Sequence, residues 1–77
     1  MNNPNDMGRR IRALRKSRGL SIKELADAAY ISEKYLLTIE ICNDIPNVDI
    51  LSRLCDALET TAEFLLGLRI PLKPLLQ

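Results

Sequence analysis

Histidine is missing altogether, and with it the side chain most often used as a general base or metal ligand. The two cysteines, Cys42 and Cys55, are too few for a disulfide framework or a structural zinc site. With three glycines there is no Gly-rich phosphate loop, and no pair of carboxylates marks a pocket. An enzyme, a metal centre and a bound cofactor are therefore not expected, nor is a small-molecule substrate. Tryptophan is absent and phenylalanine occurs once, so the core has to be aliphatic. No apolar run approaches the roughly 20 residues of a membrane helix. The opening MNNPND is polar, unlike a signal peptide. The expectation is a soluble protein of a reducing cytoplasm, with no membrane partner.

What is present suits one small domain. Hydrophobic residues make up 47% of the 77, enough for a core and too many for wholesale disorder. A domain this small leans on tight helix packing or on a partner. The net charge of +1 conceals an asymmetry. Arg9, Arg10, Arg12, Arg15, Lys16 and Arg18 face only Asp6 before Gly19. From Gly19 onward nine acids outnumber five bases. A basic segment on a near-neutral chain is compatible with nucleic acid, and equally with a solvated helix face.

The stretch GLSIKELADAAYISEKYLLTIE, residues 19–40, organises the rest. Ser21 can cap a helix, and Glu24 stands where a capping box wants a carboxylate. Leu25, Ala26 and Ala29 share one helical face. Ser32 offers a second cap, and Leu36 with Ile39 a second apolar face. Ala26 is small enough for two backbones to cross closely. Together these features mark a helix-turn-helix, whose second helix can enter a DNA major groove. Around it the spacing predicts helices over 7–17, 22–29, 33–41 and 48–58, and a short fifth helix around Phe64–Leu65–Leu66. Asp6 is a candidate cap and Gly19 a left-handed stop. Met7, Ile11 and Leu14 face the core from the first helix. Val48, Leu51, Leu54, Cys55 and Leu58 form the buried stripe of the fourth, which Asn47 caps. Cys42 falls in the loop before Pro46. Residues 1–5 read as a disordered lead-in and 6–67 as the domain. Residues 68–77 form an apolar tail broken by Pro71 and Pro74. In it Leu68, Ile70, Leu72, Leu75 and Leu76 call for cover, by a second chain (dimerisation) or by the tail folding back.

The run IRALRKSRGLSIKELADAAYISEKYLLTIE, then Pro46, LSRLCDAL and TTAEFLLG, resembles the phage-repressor/Cro-type helix-turn-helix family. The likeness, also known as the xenobiotic-response-element type, covers residues 8–67. It implies a compact, all-α, five-helix lambda-repressor-like domain that binds double-stranded DNA as a homodimer. It also implies a transcriptional regulator, with repression the simplest outcome, acting on a two-fold-symmetric operator. The family pairs an arginine of helix one with a glutamate closing helix three, here Arg15 and Glu40. Its base contacts map onto Ser32, Glu33, Lys34 and Thr38. Lys34 suits guanine, Glu33 suits cytosine N4, and Thr38 suits a hydrogen bond or a thymine methyl. Its phosphate-holding Gln falls at Ile22. Lys23 and Asn43 are further candidate phosphate contacts, and Tyr35 has a polar tip that can reach a phosphate or simply pack beside the loop. Three positions depart from the family. Ile22 replaces the usual Gln, Ile41-Cys42 replaces Arg-Gly or Asn-Gly, and Tyr30 replaces the Gly of the turn. A tyrosine held at positive φ would cost on the order of 1 kcal/mol unless the turn is reshaped. These losses support an alternative, a protein-interaction or antitoxin-like module with weak or no operator binding.

Overall fold

The computed structural model describes residues 6–67, so the lead-in 1–5 and the tail 68–77 lie outside the described residues. The elements are α1 Met7–Ser17, α2 Ile22–Ala29, α3 Glu33–Cys42, α4 Val48–Leu58 and α5 Ala62–Leu66, with no strand among the described residues. Local signals account for most of these boundaries. Ser21 Oγ accepts the Glu24 N–H at 3.0 Å, and the Glu24 carboxylate accepts the Ser21 N–H at 2.8 Å, closing the capping box. Ser32, Asn47 and Thr61 cap α3, α4 and α5 through their side-chain oxygens. Asp6 does not cap α1; its carboxylate lies 3.5 Å from the Arg9 guanidinium instead. Cys42 is the last residue of α3 rather than part of the loop, and it is exposed.

Three helices stop by the same device. The chain turns left-handed, and two N–H groups fold back onto the last carbonyls. Gly19 and Leu20 donate to Lys16 and Arg15; Tyr30 and Ile31 to Asp27 and Ala26; Glu59 and Thr60 to Asp56 and Cys55. Only the first of these bends is made by glycine; Tyr30 and Glu59 adopt φ of 58° and 56°.

The core is aliphatic. Met7, Ile11, Leu25, Ala26, Ala29, Leu36, Ile39, Leu51, Leu54, Cys55, Leu58 and Leu65 are buried together. Burial pushes the Cys55 thiol above its usual pKa, with Asp56 and Glu63 adding to the effect. Leu14 is only partly buried, against the edge of the core. Val48 corrects the expected α4 stripe, for it is 82% exposed. A first-turn side chain leans back past its own N-terminus, and Pro46 is the buried residue at this end of the helix.

Part of the basic segment at and after α1 is committed to the fold. Arg10 donates to the Leu65 carbonyl at 3.1 Å. Arg18 donates to the carbonyls of Leu58 at 2.6 Å and Glu59 at 3.4 Å. These are the C-terminal ends of α5 and α4, where helices leave unpaired carbonyls and partial negative charge. Arg9, Arg12 and Lys16 remain exposed.

The first turn of α1 abuts the end of α3. A Cβ built on Gly8 would lie 2.4 Å from the Ile39 carbonyl oxygen and 2.5 Å from that of Glu40. The Gly8 N–H, unused within its helix, donates to Asn43 Oδ1 at 3.0 Å. Gly8→Ala should therefore force α1 and α3 apart and cost about 1–3 kcal/mol, read as a lowered urea midpoint. Substituting the exposed Ala13 of the same helix by Ser should change the unfolding free energy by no more than about 0.5 kcal/mol.

Candidate nucleic-acid interface

Helices α2 and α3 meet through Leu25, Ala26 and Ala29 on one side and Leu36 and Ile39 on the other, all fully buried. The turn between them is not reshaped to accommodate its tyrosine. Tyr30 sits at φ 58°, ψ 43°, in the left-handed region that strains a side chain by about 1 kcal/mol. Its ring is 81% exposed and lies 5.8 Å from the Arg53 guanidinium. A cation over an exposed ring returns about 0.5–1 kcal/mol, of the same order as the strain. Ile31 then packs on the core, and Ser32 opens α3 by accepting the Tyr35 N–H at 3.0 Å.

The rotation of α3 about its axis is set by one ion pair. Arg15 Nε donates to Glu40 Oε2 at 2.8 Å, and Arg15 Nη2 to Glu40 Oε1 at 3.2 Å. Arg15 Nη1 donates to the Leu20 carbonyl at 2.9 Å. The two side chains are 10% and 2% exposed, so the pair is bidentate and largely dry. With Leu36, Ile39 and Glu40 turned inward, the outward face carries Glu33, Lys34, Leu37 and Ile41.

The residues assigned to bases in the sequence fall at the exposed start and middle of α3. Glu33 and Lys34 are exposed and form no ion pair with a described residue. Ser32 is exposed, with one lone pair committed to its cap. Thr38 is half-buried, and its hydroxyl donates to the Lys34 carbonyl at 3.0 Å. Its proton is therefore already placed within its own helix.

The phosphate positions differ more from expectation. Lys23 lies at the start of α2, with its ammonium 3.1 Å from Asp27 Oδ2. The hydrogen bond and charge of Asp27 raise its pKa, and Glu33 adds to this from the start of α3. Ile22 is partly buried against the core and has only its backbone amide to offer a phosphate. Tyr35 is likewise packed on the core. Asn43 sits at the far end of α3, and its Oδ1 holds Gly8 rather than standing free. Lys23, Ser32, Glu33 and Lys34 thus lie at the starts of α2 and α3, and Asn43 lies at the C-terminal end of α3 with its Oδ1 engaged by Gly8. Sequence reading missed the structural work of Gly8, Arg10 and Arg18. No local signal could reveal it, because their partners are carbonyls and an amide from other helices.

Among the described residues no group of His, Cys, Asp and Glu is placed to hold a metal, and no helix is long and apolar enough to cross a membrane. The geometry defines a class, the Cro/C1-type helix-turn-helix domain: five helices, with the second and third locked at a tight turn and the third exposed along one edge. The family model described as "Helix-turn-helix domain" matches residues 6–65, and the chain belongs to that family. Solved structures agree. The N-terminal DNA-binding domain of SinR from Bacillus subtilis is 32% identical with a TM-score of 0.75, the match covering 80% of this chain and 91% of that one. The biofilm master regulator SinR in complex with DNA is 33% identical with a TM-score of 0.72, over 78% and 97% of the two chains. The restriction-modification controller protein C.AhdI from Aeromonas hydrophila is 26% identical with a TM-score of 0.73, over 79% and 92%. No curated protein sequence matches the chain.

The turn geometry makes a ranked prediction. Tyr30→Gly relieves the strain and should match or exceed the parent in urea midpoint. Tyr30→Ala keeps the strained backbone and loses the ring over Arg53, and should fall below both by about 0.5–1 kcal/mol.

Proposed function

We propose that this protein is a sequence-specific, DNA-binding transcriptional regulator, acting as a homodimer on a two-fold-symmetric operator and repressing from it. One observation carries the reading: the buried Arg15–Glu40 pair holds α3 so that Ser32, Glu33 and Lys34 stand exposed at its open N-terminal edge. Lys34 would donate to guanine and Glu33 would accept from cytosine. The first-turn amides of Ile22, Lys23, Glu33 and Lys34, which the helices themselves leave over, would hold phosphates. Among the described residues Arg10 and Arg18 donate to carbonyls and Lys23 pairs with Asp27, while Arg9, Arg12, Lys16 and Lys34 are exposed cations that would attract the backbone. The similarity to SinR, whose solved structures include one in complex with DNA, supports the reading. With part of the basic segment committed to the fold, a monomer would bind weakly, and a dimer spanning half-sites about 34–36 Å apart would multiply that affinity. Leu68, Ile70, Leu72, Leu75 and Leu76 are the proposed dimer contacts, and the cytoplasm is the proposed place of action.

A second reading has its own support. Ile41, Ile45 and Val48 are 72%, 53% and 82% exposed around the α3–α4 connection. Family phosphate contacts are expected there, and an apolar patch suits a protein partner better. A protein-interaction or antitoxin-like module would use this surface.

Selection of duplexes from a random pool, followed by a salt series, decides between them. Binding through several Lys and Arg contacts should weaken steeply between about 50 and 200 mM salt. A Lys34→Ala variant should lose roughly ten-fold or more at one base pair. Affinity indifferent to salt, or no enrichment of any duplex, favours the interaction module. Truncation after Gly67 should halve the sedimenting mass; an unchanged mass assigns the tail to its own chain.

A further inference from the structure

Of the four longer helices, α3 is the least amphipathic. The face opposite its buried residues is not uniformly polar: Leu37, 41% exposed, follows Lys34 by three residues, and Ile41, 72% exposed, follows Leu37 by four. No packing within the described residues accounts for Leu37 pointing outward. It sits in the middle of the surface that the proposed function lays in a major groove, not on a remote patch. The hydrogen-bonding capacity around it is reduced. The Thr38 hydroxyl proton is given to the Lys34 carbonyl, and one Ser32 lone pair to the Tyr35 N–H. Past the first turn, this edge of α3 therefore offers a base mainly carbon. The one base group in the major groove that carbon recognises is the C5-methyl of thymine.

We infer that Leu37 is a specificity-determining residue that reads a thymine methyl, next to a guanine read by Lys34. This rests on the DNA-binding reading and adds to it a composition for the half-site. Lys34 and Leu37 are separated by about 4.5 Å along the helix axis, comparable to the roughly 3.4 Å rise of a base pair. The thymine thus falls within about one or two base pairs of the guanine. The charge arrangement agrees, since the cation and the free amides lie at the N-terminal edge and the apolar side chains lie beyond it.

The test uses the full chain and duplexes selected from a random pool. Each thymine of the selected half-site is replaced in turn by deoxyuridine, which removes the methyl and nothing else. At one position near the selected guanine, affinity should fall about four-fold, the worth of one buried methyl-sized group. Leu37→Ala should bind the thymine and uracil duplexes equally at that position, whereas Lys34→Ala should keep the discrimination while losing preference for the guanine. Leu37 is 41% exposed and lies outside the buried core, so the variant should show the parent's circular dichroism and stay folded, with a modestly lower urea midpoint. Equal affinity of the parent for thymine and uracil at every position overturns the inference, as does discrimination that survives Leu37→Ala. Failure to enrich any duplex overturns the DNA-binding reading itself, and the two failures are distinct.

Discussion

The Arg15–Glu40 ion pair is the constraint on which the rest of the molecule depends. It joins α1 to α3, and its remaining donor holds the Leu20 carbonyl beyond the left-handed bend at Gly19. Both partners are nearly dry, so their attraction must offset a desolvation cost of several kcal/mol per ion. Two parallel bonds and a third to the backbone leave no buried polar side-chain atom without a partner among the described residues. Removing one member would strand the other, at about 3–5 kcal/mol, a large part of the 5–15 kcal/mol typical of a whole domain. The pair also sets the direction of α3. Glu40 lies on the face of Leu36 and Ile39, so the helix cannot rotate to hide Lys34 and Leu37 without pulling a carboxylate from its partner. Stability and surface chemistry are joined in one contact.

The arginines of α1 show how tertiary structure divides a charge cluster. Read as a string, they form a basic segment suited to nucleic acid. In the fold, Arg15 is in the core ion pair, while Arg10 and Arg18 cover the carbonyl ends of α5 and α4. Guanidinium suits this use because it offers several donors in a fixed fork and stays charged. The short α5 gains most, since a helix of five residues contributes little stability alone. The charge that remains for a ligand is smaller than the composition suggests. The proposed interface accordingly relies on backbone amides, a few lysines and apolar contact.

Tyr30 and Leu37 are two large side chains that the fold leaves exposed in different ways. Tyr30 keeps the turn in its left-handed form despite the side chain, and the nearby Arg53 compensates within the range of the strain. Leu37 gives up part of its burial and places carbon where a polar helix face would serve solubility better. The turn is thus held at a local cost, and the leucine forgoes part of the burial it could have had.

Much of this was legible in the sequence, because the relevant signals are local. Caps at Ser21, Ser32 and Asn47 act within one turn of their own helix, and the inward faces of α2 and α3 follow from three- and four-residue spacing. The aliphatic character of the core followed from composition alone, and the Arg15–Glu40 match from the family pattern. What was not legible involves partners far along the chain. Gly8 meets Asn43 at a separation of 35 residues, Arg18 meets Leu58 at 40, and Arg10 meets Leu65 at 55. No helical period encodes such distances. Val48 fits its helix's apolar spacing but lies 82% exposed, because burial depends on what stands opposite. The amino-acid sequence by itself determined the helices and most of their caps and inward faces, since those depend chiefly on neighbours within a turn, with Asp6, Cys42 and Val48 the exceptions. Only the tertiary structure decided which charges serve the fold and which stay exposed, since that depends on which helix ends come together.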